Sequence, residues 1–153
     1  MKQAEQIQEW LARWGKQVGA DLGLDAGGQC AFVFDQLHFQ LGLYDDEQSL
    51  LLAAVVYPGD VSAQPAVMKT MLQFAHLGGQ SHRCGLSLAG SGEPVLWHWQ
   101  RTQVLDEAQF SNLMSGFVAT AQNTRTVITA AASPAAEAVQ ERPVDMSMLM
   151  QRV

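Results

Sequence analysis

The sequence predicts an α+β fold: a helix, a three-stranded antiparallel meander, a second helix, a β-hairpin and a closing helix. Three observations carry this. The runs CAFVF (30–34), LHFQLGLY (37–44) and LLLAAVVY (50–57) are rich in aromatic, β-branched and leucine residues and are separated by Asp-containing turns. Segments on either side place apolar residues three and four apart, the period of a helix that buries one face. A Gly90-Ser91-Gly92 turn then joins two further strand-like stretches, 85–89 and 94–101.

The first element spans 3–20, where Ile7, Trp10, Leu11, Trp14 and Val18 form an apolar stripe while Lys2, Glu5, Glu9, Arg13 and Lys16 fall mostly elsewhere. Gly19, Gly23 and the Gly27-Gly28 pair stop that helix and let the chain turn. In the first strand Cys30, Phe32 and Phe34 share a face. In the second, Phe39, Leu41 and Leu43 oppose His38, Gln40 and Tyr44, so one side is polar. The third run is apolar almost throughout, which predicts cover on both faces by helices, a second subunit or a bound peptide.

Pro58, Gly59 and Asp60 break the third strand, and Val67, Met68, Met71, Leu72 and Ala75 set a helical stripe over 64–77, with Phe74 off it. Asp106 with Gln109 three residues on is a capping box. Phe110, Leu113, Met114, Phe117, Val118, Ala121 and Ile128 follow in helical register. Residues 1–132 therefore read as a single domain. Residues 133–153 read as a flexible tail, Ala/Pro-rich and then Met-rich, whose Met146, Met148, Leu149 and Met150 could fold back onto a groove of this chain or of a twin.

With 153 residues the chain has room for one core. Nine Lys and Arg against fifteen Asp and Glu give a net charge of −6, which argues against nucleic acid or an anionic membrane as partner. From Gln17 through Met68 the acids Asp21, Asp25, Asp35, Asp45, Asp46, Glu47 and Asp60 meet no Lys or Arg. That one-sign field reads either as a solubilising rim or as steering for a basic or amphipathic polypeptide. The first residues lack the apolar stretch of a signal peptide, and no run approaches the length of a membrane span, so a cytoplasmic protein without membrane insertion is expected.

The residues offer little to catalysis. His38, His76, His82 and His98 lack metal-ligand spacing, with His76 and His82 as the nearest pair, and Cys30 and Cys84 sit in or beside apolar strand sequence, where a thiolate is disfavoured. No glycine segment has a phosphate-loop pattern, and Asp45-Asp46 is sufficiently explained as a turn. The expectation is no enzyme, no metal and no cofactor.

The order of elements in an acidic chain of this size resembles the class I chaperones of type III secretion systems, the CesT/SycE-like group, over about residues 3–130. LGLDAGGQCAFVFD (22–35), GLSLAGSGEPVLWHWQ (85–100) and VLDEAQFSNLMSGFVATA (104–121) carry the resemblance. It implies a bacterial cytoplasmic homodimer, tied to virulence, that binds the N-terminal non-globular segment of secreted effector proteins. It keeps them soluble and export-competent without ATP, and the secretion-apparatus ATPase is a further partner. Carried onto this chain, it makes Leu11, Trp14, Phe32, Phe34, Phe39, Leu41 and Leu43 the effector-binding residues, some of which must instead be core. Met68, Met71, Leu72 and Ala75 become the dimer interface, with packing inside the chain as the competing role. A non-secretory regulatory or sensory protein-binding domain of the same architecture is the alternative.

Overall fold

The computed structural model describes residues 2–132. Helix α1 (Gln3–Val18) sinks Ile7, Leu11 and Trp14 into the core, the stripe its spacing demands. Its first amides are satisfied from two directions: Glu5 accepts from the Lys2 N–H at 3.1 Å, and Glu47 accepts from the Ala4 N–H at 3.1 Å. Gly19 ends the helix at φ +80°, a left-handed conformation that a β-carbon would oppose.

Strands β1 (Gln29–Phe34), β2 (Leu37–Tyr44), β3 (Ser49–Val55), β4 (Gly85–Leu88) and β5 (Pro94–Arg101) pair antiparallel in the order β1-β2-β3-β5-β4. The expected meander and hairpin thus join through β3 and β5 into one sheet. β1 and β2 are linked by Asp35 and Gln36, both left-handed (φ +49° and +62°), a two-residue turn whose twist matches the strands. Asp tolerates that region; Gln does not gain from it. Gln36→Gly is therefore expected to stabilise the fold by about 0.5–1 kcal/mol and raise the melting midpoint by roughly 2 °C in calorimetry. A lower midpoint would show that the Gln36 side chain contributes more than its backbone costs.

Alternation divides the sheet. Leu37, Phe39, Leu41 and Leu43 of β2, Leu50, Leu52 and Ala54 of β3 and Leu96 of β5 all point to one face and are buried there under α1 and helix α3 (Glu107–Ala131). α3 opens with the expected capping box: the Asp106 carboxylate accepts from the Gln109 N–H at 2.7 Å, and the Gln109 side chain accepts from the Asp106 N–H at 2.9 Å. It contributes Phe110, Met114, Phe117, Val118, Ala121 and Ile128 to the same core. Its two buried threonines spend their hydroxyls on their own helix, Thr120 on Gly116 O and Thr124 on Thr120 O.

Helix α2 (Pro65–Phe74) starts on a proline and packs against α3 and β4. Here the stripe read from the sequence needs correcting. Phe74 is buried with Val67 and Met71, while Leu72, assigned to the stripe, is 74% exposed. The helix is apolar over more than half its girth, so periodicity alone does not say which sector meets the core. It also ends earlier than 77, giving way to a 3-10 turn at His76–Gly78 with left-handed Leu77 (φ +53°), itself 91% exposed.

Of the two covered faces expected for the third strand, the chain's own helices supply the inner one; outward-facing Leu51, Ala53 and Val55 are half-buried and pair with Trp99, Trp97 and Val95 of β5. The expected flexible tail, with Met146, Met148, Leu149 and Met150, lies outside the described residues.

Candidate partner-binding surface

The residues expected to meet a partner separate into two groups. Leu11 and Leu41 are fully buried and Trp14 and Phe39 nearly so, forming an aromatic wedge between α1, the sheet and α3. Trp14 lies 6.0 Å from Phe32, Phe32 stacks on Phe39 at 5.1 Å, and Phe39 meets Phe117 edge-on at 6.2 Å. These four side chains are core: the face of β2 read as a possible groove is sealed by α1 and α3. Leu43 lies at the edge of that core at 9% exposure. Phe32 and Phe34 remain partly open, because β1 is the last strand of the sheet and no further strand shields its inner margin.

Of the residues assigned to a dimer contact, Met71 is buried in the chain's own core, Met68 and Ala75 are half-buried, and Leu72 is exposed. Sequence reasoning missed the outer face of the sheet. Trp97 and Trp99 of β5 project there at 37% and 49% exposure, and Trp99 meets Tyr44 of β2 edge-on at 5.4 Å. The Trp97 ring lies over Gly85 of β4, where a β-carbon would have no room. That glycine lets the indole lie flat on the sheet rather than stand in solvent. Alternation of Val95, Trp97 and Trp99 was visible in the sequence; which side α1 and α3 would cover was not.

Charge gathers at the opposite end of α1. A cleft of about 530 Å³ brings together Glu5, Asp25, Asp45, Asp46 and Glu47 from three separate segments. The β2–β3 turn that supplies three of them holds Asp45, Asp46 and Glu47 at positive φ. It is clamped by Thr102, whose hydroxyl donates to Glu47 O and whose N–H donates to Gln48 O. Across the sheet, Arg125 of α3 holds the β1–β2 turn. Its guanidinium pairs with the Asp35 carboxylate at 2.6 Å and also bonds the Asp35 carbonyl, while Gln122 donates to the same carboxylate at 3.1 Å. The Arg125 and Gln122 hydrogen bonds hold the Asp35 carboxyl below its usual range. This carboxylate's contribution is therefore present at neutral pH and lost as the solution is acidified through that lowered value.

A second cleft, of about 470 Å³, opens between α3 and the β4–β5 hairpin and brings His82, His98 and Cys84 together beside Leu113 and Phe117. His82 thus meets His98 and Cys84 in this cleft, and His76, its nearest histidine in sequence, is not among the lining residues. Among the described residues, no three His, Cys, Asp or Glu groups are placed to hold a metal ion. Burial pushes the Cys84 thiol up to about 11 and raises Cys30 as well. Both are thiols at neutral pH, so neither is a ready nucleophile. Native protein at pH 7.5 is expected to react with an aromatic disulfide reagent at least about tenfold more slowly than denatured protein. Stoichiometric labelling of the native fold within seconds would contradict that. No helix among the described residues is long and apolar enough to cross a membrane.

Comparison with solved structures finds the same fold repeatedly. One chain of the ExsC–ExsE complex superposes with a TM-score of 0.69 at 18% identity, covering 84% of this chain and 97% of that one. A chain of the heterodimeric ExoU–SpcU complex from the type III secretion system of Pseudomonas aeruginosa gives 0.60 at 16% identity, covering 84% and 98%. The structure of the Yersinia pestis type III secretion chaperone SycH with a stable fragment of YscM2 gives 0.56 at 15% identity, covering 77% and 98%. No curated protein matches the chain in sequence. The model of the Tir chaperone protein (CesT) family matches residues 9–125, from the middle of α1 through most of α3, and this chain belongs to that family.

Proposed function

We propose that the protein is a type III secretion chaperone that works as a homodimer in the bacterial cytoplasm. It binds the N-terminal, non-globular segment of one or more secreted effectors and keeps them soluble and export-competent without ATP. The observation that carries this reading, in a chain of this family, is where the apolar surface remains. Large side chains stay exposed on both sides of β4, Leu72 and Leu77 on one and Trp97 with Trp99 on the other, and Val33 stands 60% exposed on the edge strand β1. Clustered exposed apolar groups mark contact surfaces, whereas isolated ones need no explanation. The complexes named in the similar structures support the same reading.

In this reading a second copy wraps β4, covering the α2 side through Met68, Leu72 and Ala75, with Leu77 extending that patch and Met71 supporting it from beneath, and reaching Trp97 on the other side. The effector passes the inner margin of β1, at Phe32, Phe34 and the adjoining Leu43, over the core formed by Leu11, Trp14, Phe39 and Leu41. The acidic cleft steers basic stretches of the effector, and the secretion-apparatus ATPase is a later partner. An extended segment ordering on such a surface must offset about 2–5 kcal/mol of lost freedom, so the contact is broad rather than a single pocket.

The test is protease protection. A purified effector N-terminal segment, unfolded alone, should become resistant to digestion when mixed with this protein, and light scattering should give the mass of a dimer. A monomer that protects no such segment would overturn the proposal.

A further inference from the structure

Among the described residues Leu77 is the most exposed large apolar side chain, at 91%. It also stands at φ +53° and ψ +17°, in the left-handed region that its β-carbon opposes. The turn that holds it there is hydrogen-bonded on both sides. The Gly78 N–H donates to Ala75 O at 3.0 Å, the Gly79 N–H to His76 O at 3.2 Å, and the Arg83 N–H to Gly78 O at 2.8 Å. A solitary copy therefore combines an unfavourable backbone conformation with an apolar group in water at one residue. Such positions persist where another surface makes use of them.

The cleft between α3 and the β4–β5 hairpin lies beside this tip. Gly78 approaches the Arg83 backbone so closely that a β-carbon on it would stand 3.0 Å from the Arg83 Cα, and neighbouring His82 lines the cleft. The Cα atoms of Leu77 and His82 are thus no more than about 12 Å apart. One wall of the cleft is a glycine. Gly116 stands in the middle of the 25-residue α3, where glycine is disfavoured, yet a β-carbon there would meet nothing within 4 Å. Packing inside the chain gives no reason for glycine at that position; its missing side chain keeps the cleft open. Leu113 and Phe117 add apolar walls, Asn112 and Asn123 offer amide groups, and no acid, lysine or arginine lines the space of about 470 Å³. In a chain of net charge −6, two copies meet at such a place without opposing like charges.

We propose that Leu77 of a second copy seats in this cleft, against Gly116 and between Leu113 and Phe117, and that the exchange is reciprocal. Knob and cleft are neighbours on one surface, so a two-fold axis passing between them carries each knob to the other copy's cleft, as a self-complementary contact requires. Leu72, 74% exposed near the end of α2, makes the contact continuous with the α2 patch. The inference rests on the homodimer of the reading above and gives it an anchor. The left-handed turn serves the pair of copies rather than the single chain.

Sedimentation velocity of the full chain from nanomolar to micromolar concentration, with circular dichroism as the check on folding, tests this contact. Leu77→Gly removes the knob and relieves its backbone, so the fold should be kept while the dimer dissociation constant rises about tenfold or more. Gly116→Leu fills the cleft from within and should weaken the dimer as much. Mixed in equal amounts, the two variants retain one knob and one open cleft between them. They should form heterodimers at a concentration where each alone is monomeric. Should Gly116→Leu fail to fold, Gly116→Ala takes its place, with a weakening of about threefold. A mixture that stays monomeric would overturn the proposal. A natural dimer indifferent to both changes would remove this contact and leave the homodimer standing, whereas a monomeric natural chain would remove both. Gly116→Leu that keeps the dimer but ends protease protection of an effector segment would give the cleft to the effector, and would overturn it too.

Discussion

Leu41→Asp is expected to leave almost no folded protein. Leu41 is fully buried in the second strand of a five-stranded sheet, beneath both α1 and α3, and pairs with Cys30 on one side and Leu52 on the other. An aspartate there must either hold a charge without a partner in an apolar core or take up a proton, and it leaves part of the leucine volume unfilled. Burying an unpaired ionisable group and losing the packing together cost more than about 4–5 kcal/mol, comparable to the whole stability of a domain this size. Circular dichroism and the soluble yield on expression report the outcome. A folded Leu41→Asp protein that had lost only partner binding would mean that this face is a groove after all and that the packing of α1 and α3 over it is wrong.

The double variant Leu72→Asp/Trp97→Asp is expected to do the opposite, keeping the fold and abolishing self-association. Leu72 is 74% exposed and Trp97 37% exposed, so charge at either site meets water rather than core. Surface changes away from special features stay within about 0.5 kcal/mol, with Trp97 costing more because its ring covers Gly85. If these side chains form the centre of a contact between two copies, two carboxylates facing their own symmetry mates would weaken the dimer by at least about a hundredfold. Sedimentation at micromolar concentration distinguishes the states. A dimer unchanged in mass would remove this patch from the interface. A variant that unfolds would be followed by Leu72→Asp alone, which changes a side chain 74% exposed and still places charge in the proposed contact.

These two substitutions mark how far the sequence could be read. Strand limits came within one or two residues because period-two alternation and turn residues are local properties: β2 and β5 run over the residues expected for them, and the Asp106–Gln109 box opens α3 as its chemistry requires. The partner surfaces were less legible. Phe32, Phe39 and Leu41 carry the same apolar, strand-facing signature, yet two are sealed and one is partly open. The difference is only that β1 lies at the edge of the sheet and β2 does not. Leu72 and Phe74 sit two residues apart on one helix, and their fates are reversed from the expected stripe.

The sequence by itself determined the element order, the side each strand residue shares with its neighbours, the acidic front half and the resemblance to a chaperone family. These follow from backbone periodicity, capping and turn chemistry, which act over a few residues. Only the tertiary structure decided that both long helices cover the same sheet face, leaving Trp97 and Trp99 on the other. It also decided that α2 turns Leu72 outward and that β1 ends the sheet with unpaired backbone groups. Those outcomes depend on which apolar surfaces meet across long stretches of chain. Many residues of equal hydrophobicity compete for too little interior, and local pattern does not rank them.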